Sequence, residues 1–303
     1  MAQPTRLDNK TAIVTGSANG IGAETVRLYN SLGANVVIAD LSSSRDAAET
    51  LIQSLKDPSR ASFISVNITV WKEISTLFDQ TKRQFGQIDI VIANAGIMES
   101  RSFYDFETAD DGSLREDDDV HRVIDVNLKG TMNTLRLAMF HMRSNPVDRT
   151  GFRGSIVLVS STSGFFGSTA VVSYIASKHG VVGLLRSSQT AARKYGVRVN
   201  GVAPFITPTF ITEGYSQSYA ATGLPLNQPE DVVAGAIVKT SVDSESQGRC
   251  FLEQVYRGKT KEVEEARNAA IASYMGEEIK TAMDGAKKFF DEIGGYPLPR
   301  ARA

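Results

Sequence analysis

Short apolar runs rich in Val, Ile and Ala recur along the chain, separated by longer segments in which apolar residues return every three or four positions. Such runs mark strands buried on both faces by crossover helices, an arrangement that requires a parallel sheet. The pattern predicts strands near 11–15 (Thr-Ala-Ile-Val-Thr), 35–40 (Asn-Val-Val-Ile-Ala-Asp), 61–66, 88–93, 154–160, 197–203 and 248–254. Helices are predicted near 20–33, 44–56, 71–85, 118–143, 173–195 and 229–240. The expected fold is α/β, a doubly wound parallel sheet of about seven strands with helices on both faces.

Two stretches fit this alternation less well. Residues 99–119 carry Glu107, Asp110, Asp111, Glu116, Asp117, Asp118 and Asp119; a metal could use such a cluster, but a solvated loop delivering acidic charge to a helix N-terminus accounts for it better. Beyond residue 258, Val263, Ala266, Ala270, Tyr274, Ile279, Met283, Ala286, Phe290 and Ile293 recur mostly at helical spacing. Such a stripe predicts a helical C-terminal extension over 259–303 whose apolar face is covered.

Charge and cysteine content narrow the functional classes. With 33 basic and 34 acidic residues among 303, the chain has no net field to attract a polyanion, so nucleic acid is not an expected partner. The one cysteine, Cys250, can form no internal disulfide and stands beside Phe251 and Leu252, as a small core residue would. The first ten residues hold no apolar core of signal-peptide length, and nowhere do about 18 apolar residues run uninterrupted; the expectation is a soluble cytoplasmic protein without a membrane span. The three histidines, at 121, 141 and 179, form no ligand-spaced pair, so no metal is expected.

The chemistry-bearing residues stand in a fixed order. A glycine turn, Thr15-Gly16-Ser17-Ala18-Asn19-Gly20-Ile21-Gly22, follows the first predicted strand; Asn94-Ala95-Gly96 ends the fourth; Asn127 lies in Val126-Asn127-Leu128-Lys129-Gly130. Ser161 then precedes Tyr174-Ile175-Ala176-Ser177-Lys178 by thirteen residues. Together these elements resemble the short-chain dehydrogenase/reductase family, over about residues 8–254. The resemblance implies a Rossmann-type fold, with residues 1–258 as one NAD-binding and catalytic domain and a substrate lid at about 205–226. It also implies a homodimer or homotetramer.

The glycine turn has a physical use independent of the resemblance. Its glycines allow a tight turn, close approach of a pyrophosphate and close packing of helix on strand, while the helix N-terminus offers unpaired N–H groups to phosphates. Asp40, eighteen residues after Gly22, ends the second strand, where a carboxylate accepts hydrogen bonds from the adenosine ribose and repels a 2′-phosphate. NAD is therefore the expected cofactor, with Arg45 the one nearby cation that argues for NADP. The resemblance adds Asn19 and Ile21 in the turn, Asn67 and Ile68 at the adenine, and Asn94, Ala95 and Gly96 along the ribose side. Pro204 and either Thr207 or Thr209 belong by resemblance near the nicotinamide, the alternatives arising because Phe205 replaces the family's usual glycine.

By resemblance Asn127, Ser161, Tyr174 and Lys178 form the catalytic set. Tyr174 and Lys178, at i and i+4, share a helix face, and an ammonium beside the phenol and the positive nicotinamide of an oxidised cofactor both favour the phenolate. Tyr174 would exchange the proton, Ser161 hold the reacting oxygen, Lys178 hold the cofactor ribose, and Asn127 anchor a water. Because successive strand residues face opposite ways, only one of Ser160 and Ser161 can point at the tyrosine. Phe165, Phe166, Phe205, Phe210 and Tyr215 supply apolar surface, with Ser161, around the substrate; for Phe165 a core position is at least as good a reading. The expected activity is alcohol–ketone interconversion on a bulky, mainly apolar secondary alcohol of terpenoid, steroid or polyketide type. An idle NAD-binding scaffold of the same fold is the alternative. A nucleoside-cofactor methyltransferase would share the glycine turn but has no need of Ser161, Tyr174 and Lys178.

Overall fold

In a computed structural model the apolar runs become strands of one sheet; the structure describes residues 6–167, 170–223, 226–228, 233–254, 259–263, 270, 273 and 276–292. The strands are β1 (Thr11–Thr15), β2 (Asn35–Asp40), β3 (Ala61–Ser65), β4 (Ile90–Ala93), β5 (Gly154–Val159), β6 (Val197–Pro204), β7 (Cys250–Gln254) and β8 (Lys259–Glu262). Their order is β3-β2-β1-β4-β5-β6-β7-β8, parallel throughout except for the antiparallel last pair. The order reverses between β1 and β4, and a crevice opens there at the carboxyl ends of the strands.

Helices cover both faces. On one side α1 (Gly20–Ser31), α2 (Arg45–Ser54) and α9 (Gly235–Val242) contribute Val26, Tyr29, Leu51 and Ile237 to a core with Val14, Val36 and Ile38. On the other, α3 (Trp71–Phe85), α5 (Thr131–Met142) and α6 (Val172–Ser187) pack Ile74, Phe78, Leu137, Val181 and Leu185 on Ile13, Val91 and Ile156. Because alternate residues of each strand enter opposite cores, β1, β4 and β6 are buried along their whole length. The short helices α7 (Gln189–Tyr195) and α8 (Ser216–Ala221) lie in the connections before and after β6.

The long helix expected over 118–143 is built in three parts. After α4 (Asp118–Ile124) comes a π-helical turn, Asp125–Gly130, and then α5. The wider turn carries Asn127, and such insertions tend to mark functional positions. The acidic stretch before it is a loop closed by a Thr108–Leu114 bridge and by Arg101 pairing with Glu107 and Asp117, both at 3.0 Å. Asp117 accepts the Asp119 N–H at 3.0 Å, and Asp118 and Asp119 occupy the first turn of α4, so the loop does deliver acidic charge to a helix N-terminus.

The extension begins differently from the expectation. Lys259–Glu262 is a strand against β7, and Val263 packs on the larger core before the helix Glu277–Glu292. In that helix Ile279 is exposed rather than covered. Ala266, Tyr274, Ile293 and the Gly294-Gly295-Tyr296-Pro297 segment fall outside the described residues, as do the side chains of Met283 and Phe290. Among the described residues no helix is long and apolar enough to cross a membrane.

Candidate active site

The crevice is a cavity of about 1650 Å³ lined by the ends of β1, β2, β4, β5 and β6 and by the segment 205–219. It gathers nearly all the residues singled out by sequence: Gly16, Asn19, Gly20, Ile21, Asp40, Asn67, Ile68, Asn94, Ala95 and Gly96 at one end, Ser161, Tyr174, Lys178, Pro204, Phe205, Thr207 and Thr209 at the other. Phe166, Phe210 and Tyr215 complete its outer wall. Three residues stand off it. Gly22 and Asn127 support the wall from behind, and Phe165 packs against the core beneath the Arg186 guanidinium, 5.9 Å from its ring.

The glycine turn is fitted to its neighbours at backbone distance. A Cβ on Gly16 would lie 2.6 Å from the Cα of Ala95, and Gly16 has φ of 62°, a conformation that side chains strain to adopt. Gly22 leaves room for Asn94, whose Nδ2 donates to the carbonyls of Thr15 at 3.0 Å and Gly16 at 2.9 Å, bracing β4 against the turn. A Cβ at Gly22 would meet that Nδ2 and the Ser17 Cα at 2.7 Å each. Gly22→Ala should therefore cost about 1–3 kcal/mol or more by overpacking against backbone, visible as a lower denaturation midpoint and weaker NADH binding by fluorescence titration. An unchanged midpoint and affinity would show that the turn yields freely.

At the far end of the turn Asp40 is held by the backbone. Its Oδ2 accepts the Ala18 N–H at 2.9 Å, while Oδ1 accepts the Leu41 N–H at 2.8 Å and the Ser44 hydroxyl at 3.3 Å. Arg45 is directed elsewhere, its guanidinium 5.1 Å from the Phe63 ring centre and 3.6 Å from Glu49. Asn67 spends its carbonyl oxygen locally, accepting the Thr69 N–H at 3.0 Å and hydroxyl at 2.8 Å, which leaves only the amide nitrogen for a ligand. These groups fit an adenine dinucleotide: a carboxylate at a ribose position, backbone open at the glycines, and Lys178 as the single basic side chain among the described residues of the cavity wall.

The reacting end is assembled from three elements. Ser161 follows β5, and its Oγ accepts the Ser163 N–H at 3.1 Å; the same hydroxyl is near enough to the Tyr174 phenol to favour its ionised form. Ser160 donates its hydroxyl to the carbonyl of Lys178 at 3.0 Å. The Lys178 Nζ donates to the Val159 carbonyl at 3.1 Å and lies 5.5 Å from the Tyr174 ring centre. It also lies 3.4 Å from where a Cβ of Gly96 would stand. Asn127 accepts the Ile97 N–H and donates to the Ile97 carbonyl, both at 2.8 Å, and donates to the Ser177 hydroxyl at 3.0 Å.

Without a cofactor, burial dominates the electrostatics of the reacting end. Burial pushes the Tyr174 phenol up to about 12, with the Ser161 hydroxyl opposing and Tyr215 and Glu99 adding to the rise. Burial also lowers Lys178 to about 8. The lysine alone therefore does not bring the phenol toward neutrality; desolvation outweighs it.

On the substrate side Phe210 is 88% exposed and Phe166 64%, two aromatic rings at the mouth. Phe205 faces Tyr219 edge to face at 6.2 Å between ring centres. Thr207 spends its hydroxyl on the Phe205 carbonyl at 2.9 Å, whereas the methyl of Thr209 comes within 3.3 Å of a Cβ placed on Gly20. The histidines have other occupations: His121 pairs with Glu116 at 3.2 Å, His141 stacks on Phe78 at 5.4 Å, and His179 Nδ1 lies 3.0 Å from the Ile175 carbonyl.

Glu99 has no counterpart in the sequence reading. Its Oε1 accepts the backbone N–H groups of Ser173 and of Tyr174, the latter at 3.0 Å, at the start of α6. No local spacing betrays a contact between residues more than seventy positions apart.

Comparison with known proteins is consistent with this geometry. Residues 10–220 match the family model described as short chain dehydrogenase. Short-chain dehydrogenase reductase 3b of Arabidopsis thaliana is 38% identical over 66% of this chain and 72% of its own length. Short-chain dehydrogenase/reductase ascJ of Acremonium egyptiacum is 34% identical over 86% of this chain and 82% of its own. The crystal structure of 3-hydroxyacyl-CoA dehydrogenase type-2 from Mycobacterium avium superimposes with a TM-score of 0.70 at 28% identity, covering 82% of this chain and 96% of that one.

Proposed function

We propose that this chain, which belongs to the short-chain dehydrogenase/reductase family of oxidoreductases, interconverts a bulky apolar secondary alcohol and its ketone with NAD as cofactor. The observation that carries the reading is the joining of Ser161, Tyr174 and Lys178 in one cavity with Asp40 and the glycine turn. A nicotinamide cofactor held by the glycine turn, Asp40 and Lys178 would supply the hydride acceptor for alcohol oxidation and, in reduced form, the hydride donor for ketone reduction. Tyr174 exchanges the hydroxyl proton, and Ser161 holds the same oxygen by hydrogen bond, fixing its distance to the phenol. Lys178 grips the cofactor ribose, and its charge favours the phenolate once the cofactor's own positive charge adds to it. Asn127 ties the loop after β4 to the π turn and, through Ser177, to α6, which keeps the set in register. Gly16, Gly20, Asn94 and Gly96 give the backbone approach for the pyrophosphate and ribose, Asn67 and Ile68 flank the adenine, and Thr209 stands at the nicotinamide end.

NAD rather than NADP is supported by the Asp40 carboxylate and by the direction of Arg45 away from it. The apolar substrate class rests on Phe166, Phe205, Phe210 and Tyr215 in the wall. The neighbour from Mycobacterium avium is named for a 3-hydroxyacyl-CoA; here, among the described residues, the charged side chains of the cavity wall are Asp40, Glu213 and Lys178, a set that does not by itself favour a CoA phosphate. Incubating the chain with NAD and a panel of cyclic and aromatic secondary alcohols, and following NADH absorbance, tests the activity. A protein that binds NADH but turns over no member of the panel in either direction would be the idle scaffold instead.

The extension is proposed to help close the pocket, in its own subunit or a neighbour's. Because Lys259–Glu262 completes the sheet, two truncations separate its parts. Removal of everything after Val263 should raise KM or change the mass in solution while leaving NADH affinity within about threefold. Removal after Gly258 should in addition lower stability by about 1–3 kcal/mol, through loss of the edge strand and of Val263 from the core. Equal kinetics, mass and stability in both would mark the extension as dispensable.

A further inference from the structure

We infer that Glu99 is a positioning residue for Tyr174: it holds the first turn of α6, and the tyrosine on it, against the loop that follows β4. This rests on the acid/base reading of Tyr174 above. The N-terminal N–H groups of a helix need acceptors, usually from the N-cap side chain. In α6 the N-cap is Val171, which has no acceptor, and the N–H groups of Ser173 and Tyr174 donate instead to Glu99 Oε1. The carboxylate also meets the positive end of the helix dipole.

The mount itself is rigid. Two residues earlier Ile97 is clamped through both its N–H and its carbonyl by Asn127 at 2.8 Å, and the next residue, Ser100, donates its N–H at 2.6 Å and its hydroxyl at 3.1 Å to Asp119. A local N-cap would tie α6 only to its own approach loop. Glu99 ties it to the loop that carries Gly96, Ile97 and Met98, all in the cavity wall, so cofactor wall and tyrosine are held as one unit.

The second carboxylate oxygen gives the mount an electrostatic side. Glu99 Oε2 is buried and has no hydrogen-bond partner. Its charge therefore acts on the phenol with little compensation, in the direction that keeps the proton on. The other groups facing the phenol are Tyr215, which acts the same way, and the Lys178 ammonium 5.5 Å from the ring centre. On the elements packed against α6, Asp119 pairs with Arg122 at 2.8 Å and Asp125 with Lys129 at 3.6 Å, so these charges largely cancel.

The test uses the full chain saturated with NAD, whose positive ring brings the tyrosinate midpoint into reach, and compares Glu99→Gln and Glu99→Ala with wild type. Tyrosinate absorbance, taken as the difference from Tyr174→Phe, reports the phenol; hydrogen exchange at the Ser173 and Tyr174 amides reports the mount. Glu99→Gln keeps an acceptor and should keep amide protection, while its tyrosinate midpoint falls by about half to one pH unit. Glu99→Ala should exchange those amides at least about tenfold faster, and kcat on the best alcohol of the panel should drop by a similar factor, with NADH affinity within about threefold. An unmoved midpoint in Glu99→Gln, or protected amides and wild-type kcat in Glu99→Ala, overturns the assignment. If Glu99→Ala does not fold, the Glu99→Gln titration decides alone. A fully active Tyr174→Phe would instead refute the acid/base reading and leave the exchange result standing as evidence on the mount.

Discussion

Replacement of Tyr174 by Phe should lower turnover by about 10²–10⁴-fold while NADH affinity stays within about threefold, because the group lost transfers a proton and the ring that remains keeps its packing. Among the described residues of the cavity wall the other ionisable side chains are Asp40, Glu213, Tyr215, Tyr219 and Lys178, and it is the phenol of Tyr174 on which the Ser161 hydroxyl acts. Lys178→Ala should damage both quantities, since the ammonium that sits 3.1 Å from the Val159 carbonyl is also the one cation for the ribose among the described residues of the cavity wall. Retention of more than a few per cent of activity in the Phe variant would mean that another acid/base does the work.

The pH dependence follows from the same group with its sign fixed. Burial raises the phenol to about 12 in the free protein, so at neutral pH it carries its proton. Ketone reduction, which needs that proton, should be flat through neutral pH and decline as the phenol ionises. Alcohol oxidation, which needs the phenolate, should climb with pH as the phenol ionises. The positive ring of NAD moves this oxidation limb to lower pH, whereas the uncharged ring of NADH leaves the reduction limb nearer the value of the free protein. Stopped turnover in both directions across a pH series measures this, and an oxidation rate that falls with rising pH would contradict it.

Much of this architecture could be read from the sequence because its signal is local. The runs at 11–15, 35–40 and 154–159 each hold three or four consecutive apolar residues between amphipathic segments, which leaves few alternatives to a buried parallel strand. The glycine turn and the Tyr174–Lys178 pair were legible because each needs a fixed spacing for a mechanical reason. What escaped was held by contacts distant in sequence. Lys259–Glu262 reads Lys-Thr-Lys-Glu, with no apolar residue to announce a strand; it forms by backbone pairing to β7, and its lysines suit a sheet edge. The π turn at Asn127 interrupts a helix whose side-chain period is otherwise unbroken. Glu99 gave no signal at all, since its partners lie on a helix beyond the next strand, more than seventy residues away. The upward push of burial on the Tyr174 phenol was equally illegible, because burial is a property of the folded cavity and cannot be read from the spacing of two residues.

The preference for NAD over NADP should be large and should reside in Asp40. A 2′-phosphate placed at this ribose position would face a carboxylate whose oxygens are already fixed by the Ala18, Leu41 and Ser44 donors, so the acid cannot swing aside without giving up those bonds. Two like charges within hydrogen-bonding distance cost several kcal/mol where solvent is partly excluded, which at about 1.4 kcal/mol per tenfold implies a preference of about two to three orders of magnitude in kcat/KM. Asp40→Ser removes the charge but keeps a short hydroxyl; combined with Leu41→Arg, at a position that lines the cavity and is half exposed, it supplies a cation for the phosphate. The double variant should narrow the ratio to near unity or invert it. Loss of the Ala18 hydrogen bond should cost it about 1–3 kcal/mol of stability, so the denaturation midpoint must be measured beside the kinetics. Equal or better use of NADP by the unmodified chain would refute the role of Asp40. A double variant that stays folded and keeps the original ratio would place the discrimination elsewhere in the cavity.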